Sequence, residues 1–236
     1  MTETTNLDAT IRRIVATCEE DPEHERQLAL CAQWERKQIY DRARAGSEGT
    51  FMRFGIKTNP HIESRNAAAW TAARKWEPQG NLWIYGPKGT GKTFMSRWLL
   101  NEALWHGVTV GELSGIALDS LGRRFDWIDR VDTYADCRLL LLDDLDKAHW
   151  SEVGITALWW LIDQRWDKSL VTIISTNWTP EAFAQVVKLT RPDNETFAGT
   201  LMDRLSWPGK PCRRIELTGT SLRREHNPCA GLKEER

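Results

Sequence analysis

The feature that most constrains the fold of this 236-residue chain is a glycine-rich run, Gly86–Thr93. It reads Gly-Pro-Lys-Gly-Thr-Gly-Lys-Thr and matches the pattern G-x-x-x-x-G-K-[S/T] in full. The run follows a short apolar segment, Leu82–Tyr85, and precedes a segment of helical character, Lys92–Trp105. Glycines let the backbone wrap closely and aim its N–H groups at phosphate oxygens, and a helix N-terminus adds a favourable field. This context predicts a phosphate-binding loop rather than a glycine-rich turn that holds no ligand.

The loop also assigns roles to single side chains. The Lys92 ammonium is expected to reach the β- and γ-phosphates of a nucleotide, and the Thr93 hydroxyl is expected to bind Mg²⁺. ATP and Mg²⁺ are therefore the predicted cofactors. The candidate nucleotide-binding residues are Gly86, Pro87, Lys88, Gly89, Thr90, Gly91, Lys92 and Thr93.

Two carboxylates, Asp143 and Asp144, follow the apolar run Leu139–Leu142. An apolar strand of this kind is buried in the middle of a sheet and delivers polar side chains at its carboxyl end. Asp143 is expected to hold Mg²⁺, directly or through water, and Asp144 to orient the attacking water. The alternative is a solvated acidic turn, with Asp146 close by, but the position after the glycine loop favours the nucleotide site.

A third strand end carries Ser175-Thr176-Asn177. An asparagine there can hydrogen-bond the γ-phosphate or the lytic water, although asparagine also favours turns. Further along, the chain supplies several arginines, among them Arg204 and Arg223. Arginine suits the charge that develops on a γ-phosphate, but a basic surface is the simpler interpretation for any one of them.

The order of the elements predicts an α/β fold. We expect strands and helices to alternate from Pro60 onward, which argues for a parallel sheet with helices on both faces. Residues 7–45 predict two helices broken near Asp21-Pro22, and Gly46–Gly49 predicts a linker. We therefore expect a helical module over residues 1–49 and a nucleotide-binding domain over 50–236. The predicted elements of the second domain are a helix over 61–76, a strand over 82–85, a helix over 92–105, a strand over 108–113, a helical stretch to 130, a strand over 138–142, an amphipathic helix over 155–166, a strand over 170–175, a helix from 179 and a strand over 213–217.

Composition and charge further narrow the range of possible partners, cofactors and cellular locations. The net charge is −1, so any contact with nucleic acid must come from a local patch. No apolar stretch is long enough to span a bilayer and the first residues are polar, so we expect a cytoplasmic protein with no membrane partner. The five cysteines are scattered and predict free thiols, since Cys18, His24 and Cys31 lack a fourth ligand for zinc. We expect most of the 13 tryptophans to be core residues rather than base-stacking platforms.

The sequence resembles the DnaC/DnaI-type replicative helicase loaders and their relatives, the IstB-type transposition helper ATPases. The resemblance extends from about Thr50 to Arg224. It rests on Phe-Met-Arg-Phe at 51–54, the glycine loop, Leu-Leu-Leu-Leu-Asp-Asp-Leu at 139–145, Ser-Thr-Asn at 175–177, Asp-Arg-Leu at 203–205 and Thr-Gly-Thr-Ser-Leu-Arg-Arg at 218–224. It implies an AAA+ P-loop NTPase fold with a parallel five-stranded sheet and little or no C-terminal lid.

By that resemblance Asn177 looks like sensor 1, Arg204 like the arginine finger and Arg223 like the terminal sensor arginine. Gly115–Arg130 falls where such loaders insert a helical element that touches single-stranded DNA, and Arg123 and Arg124 are the candidate DNA-binding residues there. The chain departs from the family in two places. Asp144 stands where many AAA+ proteins have Glu, so hydrolysis is expected to be slow, and Asp146 replaces a glycine.

The resemblance implies an ATPase that self-associates, binds a replicative hexameric helicase through its N-terminal region and delivers it onto single-stranded DNA. An IstB-like transposition helper that binds duplex DNA is the alternative within the fold. A small-molecule kinase is disfavoured by the strand predicted near Val108–Leu113 and by Asn177. A nucleotide-dependent binding module that never hydrolyses ATP also remains open, because of Asp144.

Overall fold

The structure is a computed structural model that describes residues 60–191, 195–205 and 212–221, together with Arg26 and Leu30. The predicted N-terminal helical module, the linker at Gly46–Gly49, Arg223 and the region where a lid would follow all lie outside the described residues. The sheet belongs to one compact unit of the chain, which comprises Gly49–Leu104 and Val108–Arg236.

The sheet has five strands in the order β2-β3-β4-β1-β5, and every neighbouring pair is parallel. The predicted fold class, a parallel five-stranded sheet flanked by helices, is confirmed. Strand β4 lies between β1, which leads into the glycine loop, and β3, which leads into the two aspartates. The bounds are Leu82–Tyr85 for β1, Val110–Ser114 for β2, Leu139–Asp143 for β3, Val171–Thr176 for β4 and Arg213–Glu216 for β5.

Eight helices of at least one and a half turns are described. Their bounds are Pro60–Arg65 for α1, Ala67–Arg74 for α2, Lys92–Trp105 for α3, Gly115–Gly122 for α4, Trp127–Ala135 for α5, Glu152–Asp167 for α6, Pro180–Thr190 for α7 and Glu195–Leu205 for α8, with a 3₁₀ turn at Leu145–Lys147. Helix α7 begins as the sequence predicts, because the Thr179 hydroxyl accepts from the Ala182 N–H and Pro180 occupies the first turn.

The prediction of a single helix over 61–76 is wrong in one respect, because the structure has two helices there, separated at Asn66. The Asn66 side chain is buried and accepts from the Thr218 N–H at 2.9 Å, while its amide group donates to the Thr218 carbonyl at 3.3 Å. Such long-range bonds are invisible to a local sequence pattern, and they tie the first helices to the segment after β5. The helical stretch predicted up to Arg130 is likewise two helices, α4 and α5, and β2 begins two residues later than predicted.

The core consists of two apolar clusters, one on each face of the sheet. Side chains alternate along β1, so that Trp83 packs on one face and Leu82 and Ile84 pack on the other. Of the 13 tryptophans, Trp34 and Trp207 lie outside the described residues, and all the others are buried or half-buried. The prediction that most tryptophans serve the core is confirmed for the part of the chain that the structure describes. None of the described helices is both long enough and apolar enough to cross a membrane.

Candidate nucleotide-binding site

The glycine loop connects β1 to α3, and its backbone requires glycine at specific positions. Gly86, Gly89 and Gly91 have φ angles of +139°, +82° and +100°. A Cβ atom on Gly86 would lie 2.0 Å from the Leu217 carbonyl oxygen, and one on Gly89 would lie 2.0 Å from the Ser221 hydroxyl. The loop is thus pressed against the segment that follows β5, and larger residues are excluded both by backbone strain and by space.

The Lys92 side chain is only 6% exposed, and its ammonium group has three hydrogen-bond acceptors. It donates to the Gly86 and Pro87 carbonyls at 2.8 Å each and to the Asn177 Oδ1 at 2.7 Å. Burial lowers the pKa of Lys92, and the charge of Asp146 is the largest influence that opposes this. The charged ammonium is therefore held where the phosphates of a nucleotide would lie.

The two predicted magnesium ligands are in contact. The Thr93 hydroxyl donates to the Asp143 Oδ1 at 3.2 Å, from the first turn of α3 to the carboxyl end of β3. Asp143 is 4% exposed, and burial, followed by the negative charge of Asp144, raises its pKa to about 6. A cation bound beside this carboxylate would relieve both effects.

These residues fit Mg²⁺. A hydroxyl and a carboxylate are the oxygen ligands that this ion prefers, and Mg²⁺ normally completes its shell with phosphates and water. The structure describes no group of three or more His, Cys, Asp or Glu side chains that would form an all-protein cage. In its described part the chain therefore offers the sparse set of ligands that is typical of a site filled by a magnesium–nucleotide complex.

Asp144, the predicted water-orienting residue, has an unusual backbone. Its φ of 55° and ψ of 43° place it in the left-handed region, which residues other than glycine rarely occupy. Its carboxylate forms an ion pair with Lys147, three residues later, and lines the cleft.

Asn177 connects the glycine loop to Asp146. Its Oδ1 accepts from Lys92, while its Nδ2 and its backbone N–H both donate to the Asp146 carboxylate. The Asp146 Oδ1 also accepts from the Thr176 hydroxyl at 3.1 Å. Asp146, which had no explanation at the level of sequence, thus holds the end of β4 in place.

The side chains from the loop and the strand ends line a cleft of about 440 Å³. Ile62 from α1 and Phe94 from α3 give one part of it an apolar wall. The Phe94 ring packs edge-to-face on Trp70 at 5.9 Å, and Trp70 in turn packs on Trp98 at 5.5 Å. The lining residues are Ile62, Lys88, Gly89, Gly91, Lys92, Thr93, Phe94, Asp144, Lys147 and Asn177.

Arg204 is not brought to this cleft. Its Nε donates to the Asp163 Oδ1 at 2.7 Å, and its guanidinium lies over the Trp166 ring at 4.1 Å from the centroid. The neighbouring Leu205 carbonyl accepts from the side chain of Asn81, which immediately precedes β1. Arg204 therefore lies near the amino ends of the strands, whereas the glycine loop and the aspartates lie at their carboxyl ends.

The candidate DNA-binding residues lie on the surface between α4 and α5. Arg123 is paired with Asp119 at 2.8 Å and Arg124 with Asp126 at 2.9 Å, and both arginine side chains remain about half exposed, at 56% and 49%. Neither lines the cleft. Arg223 lies outside the described residues.

Sequence reasoning missed a buried ion pair behind the magnesium ligands. Arg97 on α3 bonds the Glu112 Oε1 on β2 at 2.6 Å and lies 3.9 Å from the Asp143 Oδ2. The Glu112 Oε2 is buried without a hydrogen-bond partner. One signal was available, because Arg97 follows Thr93 by four residues and so shares its face of the helix.

Comparison with protein families shows which family the chain belongs to. The profile of the IstB-like ATP-binding proteins matches residues 36–230, which is most of the chain. The chain belongs to this family. The family is one of ATP-binding proteins, and the loop, cleft and aspartates described above account for that property in this member.

Solved structures share the fold of this IstB-like protein. A crystal structure of DnaI is 19% identical, with a TM-score of 0.58, over 73% of this chain and 95% of the other. A crystal structure of the DnaC helicase loader is 15% identical, with a TM-score of 0.51, over 72% of this chain and 99% of the other. At these identities the likeness is one of fold. No curated protein matches the chain.

Proposed function

We propose that this IstB-like protein is an ATP-dependent loader that binds a replicative hexameric helicase and helps to place it on single-stranded DNA during replication initiation. The observation that carries the proposal is the convergence of Lys92, Asp144 and Asn177, which follow three different strands, on one cleft. In a small-molecule kinase the strand that carries the aspartates would lie next to the strand that leads into the glycine loop. Here β4 separates β1 from β3, which supports an AAA+ ATPase instead. The fold shared with DnaI and with the DnaC helicase loader supports the loader assignment.

The nucleotide chemistry follows from the positions of the side chains. The loop N–H groups and Lys92 bind the phosphates. The Lys92 ammonium donates to three protein acceptors in the nucleotide-free chain, so it exchanges at least one of them for a phosphate oxygen. Thr93 and Asp143 would hold Mg²⁺, which would neutralise phosphate charge. Asp144 orients the attacking water, and its short carboxylate makes turnover slow.

The base of the nucleotide packs against the apolar wall formed by Ile62 and Phe94. An aromatic ring and a branched side chain offer the flat, dry surface that a purine prefers. Because Phe94 is in edge contact with Trp70, nucleotide binding changes the surroundings of that indole and its fluorescence.

Assembly completes the active site. Arg204 acts as an arginine finger in trans, on ATP held by a neighbouring copy, because it lies near the opposite edge of the sheet from its own glycine loop. Arg223 acts as the terminal sensor arginine. The chain therefore self-associates in order to hydrolyse ATP.

We assign the two partners to different segments of the sequence. Residues 1–49 bind the helicase, and Arg123 and Arg124 contact single-stranded DNA. The exposure of these two arginines, at about half of each side chain, supports a surface role. With a net charge of −1, binding to DNA is weak and falls with salt.

A second candidate function is supported by the family match itself, because the matching profile is that of IstB-like proteins. In this alternative the same ATP cleft drives a transposition helper that binds duplex DNA. The two functions share the nucleotide chemistry and differ in the DNA and protein partners.

One experiment separates these functions. The full chain is mixed with replicative helicase and labelled DNA, with and without ATP, and transfer of the helicase onto a single-stranded circle is measured by gel filtration. A loader gives ATP-dependent transfer, which the variant Lys92→Ala lacks. Absence of any helicase complex, together with tighter binding to duplex than to single-stranded DNA, contradicts the loader and favours the transposition helper.

A further inference from the structure

A single carboxylate organises the end of β4. The Asp146 Oδ1 accepts from the Asn177 N–H at 2.8 Å and from the Thr176 hydroxyl at 3.1 Å, and its Oδ2 accepts from the Asn177 Nδ2. Asp146 thus bonds both the backbone and the side chain of the residue that reaches into the nucleotide cleft. Charge-assisted bonds of this kind are stronger than neutral ones and hold their partners in a defined geometry.

The orientation of the Asn177 amide is dictated by its two neighbours. Its oxygen faces the Lys92 ammonium at 2.7 Å, and its amino group faces the Asp146 carboxylate. Turning the amide over would place the amino group against a cation and the oxygen against an anion. Two favourable bonds would become two repulsive contacts, so only the observed orientation satisfies the network.

The turn that carries Asp146 is itself held by aromatic side chains. The Trp150 indole donates to the Leu145 carbonyl at 3.0 Å. Trp150 packs on Phe183 at 6.3 Å, and Trp178, next to Asn177, stacks on the same ring at 6.2 Å. The carboxylate and the asparagine that it holds therefore rest on one shared aromatic cluster, which keeps them in register.

We propose that Asp146 is a positioning residue for ATP turnover, which fixes the Asn177 amide so that its oxygen holds Lys92 and its amino group points in one set direction. The amino group has a second N–H, and its direction is determined by the same amide plane. Phosphate oxygens and the lytic water accept hydrogen bonds, so this second N–H is the part of Asn177 that can donate to the γ-phosphate. This inference rests on the proposed ATPase function and names the residue that sets its geometry.

The test compares steady-state ATPase activity of the full chain with that of its variants. We expect Asp146→Asn and Asp146→Ala to lower kcat by roughly tenfold or more, as removal of an outer partner does at other sites, with a much smaller change in KM. In an Asn177→Ala background, the Asp146 change should have no further effect, because Asp146 acts through Asn177. The exchanged pair D146N/N177D keeps the total charge and gives each donor an acceptor, but residue 177 then has no side-chain N–H. It should therefore recover Tm and leave kcat low.

Asp119→Asn is the matched control. Asp119 is another largely buried carboxylate with several bonds, to the Ser151 N–H, to its hydroxyl and to Arg123, but it lies outside the cleft. Its loss should lower Tm and leave kcat unchanged. The proposal is overturned if Asp146→Asn leaves kcat intact, if its effect multiplies with that of Asn177→Ala, or if Asp119→Asn costs as much kcat for the same loss of Tm.

A readout independent of turnover separates this inference from the proposed function. In the nucleotide-free protein, the side-chain NH₂ signals of Asn177, assigned by their loss in Asn177→Ala, should be well separated and slow to exchange with solvent. Asp146→Asn should shift them and speed their exchange. If the wild-type chain binds no ATP, the proposed function fails. If ATP is bound and hydrolysed but Asp146→Asn changes neither the Asn177 NH₂ signals nor kcat, only the positioning role fails.

Discussion

The Arg204 guanidinium lies over the Trp166 ring at 4.1 Å and donates from Nε to the Asp163 Oδ1 at 2.7 Å. Both partners belong to helix α6 of the same chain. The residue predicted to act on a neighbouring subunit is therefore held, in the single chain, by a cation–π contact and an ion pair on its own surface. With 30% of its side chain exposed, Arg204 remains accessible to a partner.

ATP binding should depend on Lys92. The variant Lys92→Ala removes a cation whose hydrogen bonds to phosphate are each worth about 1.5–3 kcal/mol, and we expect no binding at concentrations that saturate the wild type. Titration by intrinsic tryptophan fluorescence measures this, since Trp70 packs on Phe94 beside the cleft. Lys168→Ala, which removes a surface lysine paired with Asp136, is the matched control and should bind normally. Unchanged affinity in Lys92→Ala would refute the assignment of the loop.

Asp143 gives a pH-dependent prediction whose sign follows from its pKa. Burial raises this pKa to about 6, so between about pH 4 and 6 the folded state binds a proton that the unfolded chain has released. Stability conferred by this group is present below that window and is lost as the pH rises through it. Asp143→Asn should therefore stabilise the nucleotide-free protein at pH 7.5, by on the order of 1–3 kcal/mol, and have little effect near pH 4.

Thermal unfolding at both pH values measures this change. Asp119→Asn serves as a control of opposite sign, because bonds from Ser151 and Arg123 outweigh the effect of burial and lower the pKa of Asp119. Removal of the Asp119 carboxylate should destabilise the protein at pH 7.5.

The same Asp143→Asn variant should retain some ATP binding but lose turnover, since it no longer supplies an ionised magnesium ligand. A destabilised Asp143→Asn protein at pH 7.5 would contradict the role of burial.

Much of this site could be predicted because it follows from local sequence. The glycine loop and the aspartates after β3 are short patterns next to regular elements, and parallel strands bring their carboxyl ends together whatever the intervening sequence. The break at Asn66 and the contacts of Asp146 depend on residues far away in the chain, namely Thr218 and Asn177. No period or propensity encodes such bonds, so they became visible only in the structure.

DNA binding should be weak and should depend on Arg123 and Arg124. In fluorescence anisotropy with a single-stranded oligonucleotide, Arg123→Ala/Arg124→Ala should bind more weakly, and the slope of affinity against salt should fall by about one to two units as two phosphate contacts are lost. Arg130→Ala is the matched control, because Arg130 is 50% exposed and shares the partner Asp126 with Arg124. Equal affinity and equal salt slope in the double variant would exclude these arginines from the DNA site.

The N-terminal region, residues 1–45, should bind the helicase and should be dispensable for ATP binding. A truncated chain that begins at Thr50 retains the loop, the strands and the aspartates, so we expect it to fold and to bind ATP like the full chain. It should fail to retain the helicase in a pull-down, while full-length protein succeeds. Retention of the helicase by the truncated chain would place that partner on the nucleotide-binding domain instead.

The last prediction concerns Arg204 in trans. Its neighbour Leu205 accepts a hydrogen bond from Asn81, at the amino end of β1. The glycine loop of the same chain follows the carboxyl end of β1, so Arg204 cannot reach it. An arginine finger contributes on the order of 10³-fold or more in rate, so Arg204→Ala and Lys92→Ala should each be nearly inactive alone. Mixed together, they should recover part of the ATPase activity, because one interface then combines an intact loop with an intact arginine.

The competing explanation is that Arg204 only steadies the fold through its pair with Asp163, and Asp163→Asn distinguishes the two roles. This variant breaks the same ion pair but leaves the arginine in place. If Arg204 is a finger, Asp163→Asn keeps its ATPase activity and its mixture with Lys92→Ala is at least as active as the mixture of wild type with Lys92→Ala. If Arg204 is purely structural, Asp163→Asn and Arg204→Ala lose stability and activity together, and mixing restores nothing. A monomer that hydrolyses ATP at the full rate would also rule out the role in trans, because no neighbouring chain would then be needed to supply the arginine.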